Sequence, residues 1–110
     1  MNKLYSFLGL MQKAGKLSSG DDTVELDIKK GLVNLLIISE DASENTKKRF
    51  KDIASRKNIS YIIFGEKDEL GFAIGKSPRS ILAIKDSGFS TAFLEKTSKI
   101  NNGGEYIVKS

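Results

Sequence analysis

At 110 residues and 12.1 kDa the chain has the size of one domain, and its 39% hydrophobic and 29% charged residues suit a globular core rather than wholesale disorder. It contains neither cysteine nor histidine, which excludes disulfides and thiolate metal sites and removes the usual general base, proton shuttle and commonest metal ligand. The formal charge of +4 favours a polyanionic partner, although solubility alone can account for such a balance.

The elements follow from periodicity and breakers. Leu4, Phe7, Leu8 and Met11 recur at i, i+3, i+4 and i+7, which predicts a first helix ended by Gly15. Lys16 to Ser19 is a short candidate strand, and Gly20 with Asp21 and Asp22 supplies turn and capping chemistry for a helix reaching about Lys30. Val33 to Ser39 reads as a central strand covered on both faces. Ser43 caps a third helix with Thr46, Phe50, Ile53 and Ala54 inward, stopped at Asn58. Then come a strand over Ile59 to Phe64, a short helix over Lys67 to Ile74, and a fourth strand over Ser80 to Ile84. Asp86 caps a last helix that Phe89 and Phe93 pin to the sheet, with regular order fading after Thr97. Asn101 to Gly104 form a breaker cluster, beyond which Tyr106, Ile107 and Val108 can add an edge strand.

Alternating strands and one-sided helices predict an α/β domain: a three-layer α/β/α sandwich over residues 1–97 around a central mixed four-stranded sheet, with a flexible tail over 98–110. No apolar run is long enough for a membrane span and the N-terminus does not read as a leader, so a cytoplasmic protein is expected.

Three motifs carry possible chemistry. Gly71-Phe72-Ala73-Ile74-Gly75-Lys76-Ser77 imitates a phosphate loop, but it has three residues between its glycines where four are needed. It also leaves a helix to enter a strand, the reverse of the phosphate-loop context, so nucleotide hydrolysis is rejected. What survives is a stiff corner in which Gly75 permits a tight turn, Pro78 rigidifies it, and Lys76 and Arg79 present charge. Asp21, Asp22, Glu25 and Asp27 admit an acid/base or metal reading, yet acids near a helix start more often cap it and complement its dipole. Val24 and Ile28 define that helix's buried stripe, so Asp22 and Leu26 lie outward, leaving Leu26 as an exposed apolar residue. The run Lys47-Lys48-Arg49 with Lys51 reads as a solvated helix face, with docking as the alternative.

The order of these pieces is itself informative. The stretch Gly20-Asp21-Asp22-Thr23-Val24-Glu25-Leu26-Asp27-Ile28-Lys29-Lys30-Gly31, then Leu35-Leu36-Ile37-Ile38-Ser39-Glu40-Asp41-Ala42-Ser43, and later Leu70-Gly71-Phe72-Ala73-Ile74-Gly75-Lys76, resembles the kink-turn-binding ribosomal-protein family, in particular its bacterial YlxQ-like branch. The resemblance runs from about residue 4 to residue 97. It implies a non-catalytic RNA-binding domain, without cofactor or metal, that presents the start of its second helix and two neighbouring loops to a sharply bent RNA containing tandem sheared G·A pairs. Ribosomal RNA is one possible source of that target.

By resemblance the RNA-facing surfaces are Gly20 to Leu26, Glu40 to Ser43 and Leu70 to Arg79. Gly20, Asp22 and Thr23 would approach the G·A pairs, with Asp21, Glu40 and Ala42 among the RNA-binding residues of the same surfaces. Lys13, Lys16, Lys76 and Arg79 would hold phosphates, and the loop over Ile74, Gly75, Lys76, Ser77 and Pro78 would pack on an extruded nucleotide. Where the family's helix start carries an Asn, a Glu and a basic residue, this chain has Asp22, Thr23 and Leu26; Asp22 can accept from a guanine's N–H groups, whereas Leu26 cannot hold a phosphate. A monomer is expected. Leu26 motivates a rival reading as a protein-interaction adaptor, and Asp21 with Asp22 a last-ranked reading as an enzyme.

Overall fold

The computed structural model describes residues 3–100 and 106–107. Helices and strands alternate as α1 (Lys3–Lys13), β1 (Leu17–Ser19), α2 (Asp21–Lys29), β2 (Leu35–Ile38), α3 (Glu44–Lys57), β3 (Ser60–Ile63), α4 (Lys67–Ala73), β4 (Ile81–Ile84), α5 (Ser87–Ile100) and β5 (Tyr106–Ile107). The sheet order is β1-β4-β2-β3-β5, with β2 parallel to β3 and every other pairing antiparallel. The pairings put Leu17, Ile84, Leu35 and Ser60 in one row across one end of the sheet, and Ile81, Ile38 and Ile63 in a row across the other.

The two strands β2 and β4 are apolar at every position because both of their faces are covered. Leu17, Leu35, Ile37, Ile62, Leu82 and Ile84 face α1, α4 and α5, whose Leu8, Leu70 and Phe93 complete one core. The alternate residues Leu36, Ile38, Tyr61, Ile63, Ile81 and Ala83 face α2 and α3 through Val24, Ile28, Phe50, Ile53 and Ala54. This is the expected three-layer sandwich, and burying a large side chain in such a core stabilises by about 1.5–3 kcal/mol.

The local signals behaved as read at several ends. Ser43 caps α3, its hydroxyl accepting from the Thr46 N–H at 3.1 Å, and Asn58 stops the helix in the left-handed conformation at φ 58. Phe93 packs edge-on against Phe64, and Phe89, packed against the same core, also meets Phe7 of α1 edge-on, so α5 is held to both the sheet and a neighbouring helix. The last helix continues past Thr97 to Ile100, and the four expected strands are joined by β5 on the free edge of β3. The expected loose tail falls outside the described residues over 101–105 and 108–110, including the breaker cluster and Val108. No helix among the described residues is long and apolar enough to cross a membrane.

Candidate functional site

Loops gather at the end of the sheet where β1, β2 and β3 finish and β4 begins. Two of them form a cleft of about 420 Å³, lined by Ser19, Gly20, Asp21, Asp22 and Thr23 on one side and Pro78, Arg79 and Ser80 on the other. The β1–β4 pairing brings them together, and the Gly20 N–H extends that ladder by donating to the Ile81 carbonyl at 3.0 Å.

Gly20 sits at φ 91 and ψ 147, a backbone conformation close to one that only glycine occupies without strain. It is the N-cap of α2, and having no side chain it leaves the first-turn amides without a side-chain cap. The helix start therefore offers backbone donors and a positive dipole end beside two carboxylates, Asp21 and Asp22.

The opposite wall is fixed by Arg79. Its Nε–H donates to the Ser19 hydroxyl at 3.1 Å, while Nη1 donates to the Ser77 carbonyl at 3.1 Å, the Ser77 hydroxyl at 2.7 Å and the Pro78 carbonyl at 3.2 Å. The Arg79 backbone N–H also donates to the Lys67 carbonyl at 3.0 Å. Gly71 lets this loop lie on α4, since a Cβ there would fall 2.1 Å from the Ser77 carbonyl oxygen and 2.9 Å from Pro78 Cα. Next to the cleft the Asp41 carboxylate accepts from the Lys67 N–H at 3.0 Å and so caps α4 from another loop. Burial works to raise the Asp41 carboxyl, but that amide bond and the Lys67 charge outweigh it and hold it below the usual range.

The residues expected to face RNA are thus brought together only in part. Gly20, Asp21, Asp22, Thr23, Pro78 and Arg79 meet in the cleft, whereas Leu26 stands one turn further along α2, exposed as its spacing implied. Gly75, Lys76 and Ser77 are exposed near the cleft without lining it, the Lys76 N–H being held by the Gly71 carbonyl at 2.8 Å. Glu40 is exposed on the neighbouring loop; Ala42 and Ile74, each 6% exposed, have side chains in the two cores, so an RNA contact there would have to run through backbone. Lys16 stands at the other end of β1, about 13 Å along the strand from Gly20 at 3.3 Å per residue, and Lys13 precedes it at the end of α1. With Asp21 and Asp22 opposing one arginine, the cleft is shaped by backbone and guanidinium, and of the four residues expected to hold phosphates only Arg79 lines it.

The matching family model, described as the ribosomal protein L7Ae/L30e/S12e/Gadd45 family, covers residues 2–94. The chain belongs to that family. Its relatives include a Bacillus subtilis RNA-binding protein YlxQ, 33% identical over 82% of this chain and 90% of the relative. An Enterococcus faecium RNA-binding protein YlxQ is 34% identical over 92% and 93% respectively. Among solved structures, a Bacillus halodurans protein of unknown function superposes with a TM-score of 0.82 at 36% identity, covering 86% of this chain and 96% of its own. A Giardia lamblia 15.5kD RNA binding protein has a TM-score of 0.70 over 91% of this chain and 89% of its own, and at 18% identity it shows the shared fold alone.

Within this family member, two features of the site and one remote ion pair escaped sequence reasoning. Ser19 and Ser80 line the cleft because of the β1–β4 register, which no local pattern encodes. Arg49, read as part of a solvated lysine-rich face, reaches from α3 to Asp21 at 3.5 Å and also pairs with Glu25. Asp27, grouped with the capping acids, is buried at the far end of α2 and pairs with Lys85 at 3.2 Å. Only the i, i+4 spacing of Asp21 and Glu25 hinted that one cation could serve both.

Proposed function

We propose that this chain is a non-catalytic RNA-binding protein that recognises the bent backbone and tandem G·A pairs of a kink-turn through the cleft between the start of α2 and the loop preceding β4. The observation that carries this reading is the joining of Gly20–Thr23 to Pro78–Ser80 in one cleft. Family membership and the two relatives named as RNA-binding proteins supply the ligand class. Uncapped amides at a helix start suit crowded phosphates, and Asp22, exposed beside them, can accept from guanine N–H groups. Recognition of this kind reads RNA shape first and base edges second.

The test is a titration of the protein with a kink-turn duplex and with a control in which the G·A pairs are Watson–Crick pairs. Tighter binding to the kink-turn, reduced in Asp22→Ala, is expected; equal affinities for the two duplexes would refute the reading. A second reading rests on Leu26, 51% exposed where the family carries a basic residue: a protein partner docks on that face of α2. Nuclease-resistant capture of such a partner, lost in Leu26→Asp, would favour it.

A further inference from the structure

The two ends of the sheet carry opposite charge. At the cleft end the acids Asp21, Asp22, Glu40, Asp41, Glu66 and Asp68, which follow the finishing ends of β1, β2 and β3, outnumber the cations Lys67, Lys76 and Arg79 of the same loops. At the opposite end, defined by the row Leu17, Ile84, Leu35 and Ser60, stand Lys13, Lys16, Lys29, Lys30, Arg56 and Lys57. They come from three different segments: the turn from α1 into β1, the end of α2 and the end of α3.

All six are exposed, and none forms an ion pair with a described residue. The acids at this end are already engaged. Asp27 is taken by Lys85, with Lys30 adding its charge from further off, and Asp86 accepts from the Phe89 N–H at 2.8 Å as the cap of α5. The row from Leu17 to Ser60 spans three strand spacings, about 14 Å, so these cations form one face rather than scattered charges. Cations in a helix's last turn also offset its dipole, which gives Lys13 on α1, Lys29 on α2 and both Arg56 and Lys57 on α3 an ordinary purpose. That purpose does not extend to Lys16, which lies outside any helix.

We propose that this basic end is a second, shape-independent binding surface for RNA-backbone phosphates, separate from the cleft and able to engage duplex while the cleft is filled. It rests on the reading of the chain as an RNA-binding protein but not on kink-turn recognition. It explains where the net positive charge acts in a protein whose cleft is lined by two acids and one arginine. Phosphates are the fitting partner because neutralising them releases counterions, and six cations on one face suit a polyanion better than a single anionic group.

The experiment uses a plain RNA duplex without G·A pairs, titrated at several salt concentrations into the full chain and into the Lys16→Gln, Lys29→Gln, Lys57→Gln variant. Thermal melts confirm that the variant folds, with Lys16→Gln, Lys29→Gln as a milder substitute if it does not. The wild-type protein is expected to bind plain duplex at low salt even when saturated with a short kink-turn duplex. The variant should bind it at least tenfold more weakly, with the slope of log affinity against log salt reduced by roughly two to three, since each of the three lost phosphate contacts removes about 0.7–0.9. Equal affinity and slope in variant and wild type, or no plain-duplex binding by the wild type, overturns the second surface. Loss of the kink-turn preference with plain-duplex binding intact overturns the cleft reading instead and leaves this one standing.

Discussion

Arg79 and Ser19, sixty residues apart, are joined by a 3.1 Å hydrogen bond from the guanidinium Nε–H to the hydroxyl. That bond ties the loop preceding β4 to the strand that delivers the chain into α2, so the two walls of the cleft hold a common position. Because Nη1 is committed to Ser77 and Pro78, the guanidinium acts first as a strut. Its fork geometry is what makes such multiple bonding possible.

Arg79→Lys keeps the charge and loses the fork. It should lower stability by about 1 kcal/mol, the usual worth of a partly exposed hydrogen-bonded contact. It should also reduce the preference for kink-turn over control duplex while leaving plain-duplex affinity nearly unchanged. Paired titrations of the two RNAs check this; a preference equal to that of the wild type would show that the strut does not shape recognition.

Gly71→Ala attacks the same loop from below. The added methyl would meet the Ser77 carbonyl and Pro78 Cα, which are backbone and cannot turn aside as a flexible side chain can. Overpacking of this sort costs about 1–3 kcal/mol, and relief requires the loop to lift from α4. A lowered melting temperature together with weaker kink-turn binding is expected, whereas Gly15→Ala, whose Cβ would meet open space, should lose stability through its backbone alone and leave RNA preference intact.

Much of this architecture was legible in the sequence, and the reason is local. Ser43, Asn58 and the apolar runs of β2 and β4 specify caps, stops and buried strands within a few residues, with no reference to the rest of the chain. The cleft was half legible: Gly20 and Pro78 announce turns, and the family resemblance grouped them. What stayed hidden is whatever depends on register and strand direction. Lys16 and Gly20 are four positions apart in sequence, yet a strand runs between them and puts them at opposite ends of the sheet. In the same way, Arg49 looks like one more exposed cation until the packing of α3 beside α2 brings it to Asp21 and Glu25.

Arg49→Ala should therefore act through those two acids. Removing the guanidinium leaves Asp21 and Glu25 uncompensated beside the cleft, raising repulsion toward incoming phosphates. Because the arginine and Asp21 side chains are more than 40% exposed, the stability change should stay within about 1 kcal/mol. RNA affinity at low salt should fall several-fold and recover in the Arg49→Ala, Asp21→Asn, Glu25→Gln variant. Isotherms for the three proteins decide it: failure of the neutralised variant to recover would mean that Arg49 contributes something other than charge compensation.

Asp27 and Lys85 give the fold a pH signature of their own. Burial pushes the Asp27 carboxyl up, but the neighbouring Ser18 hydroxyl and the bonded Lys85 ammonium outweigh it and hold the acid below its ordinary range. A carboxyl depressed in the folded state contributes stability that is complete above its unfolded pKa, about 3.9, and is lost as pH falls through that value toward the lower folded one. Asp27→Asn should accordingly cost about 1–3 kcal/mol at neutral pH, in the range for a hydrogen bond to a charged group, because the aspartate side chain is only 11% exposed and Lys85 24%. Below about pH 4 the wild type gives up this contribution and the two proteins should converge. Urea midpoints measured from pH 7 down to pH 3 check the sign: a stability gap that stays constant across that range would show that the pair does not titrate with folding.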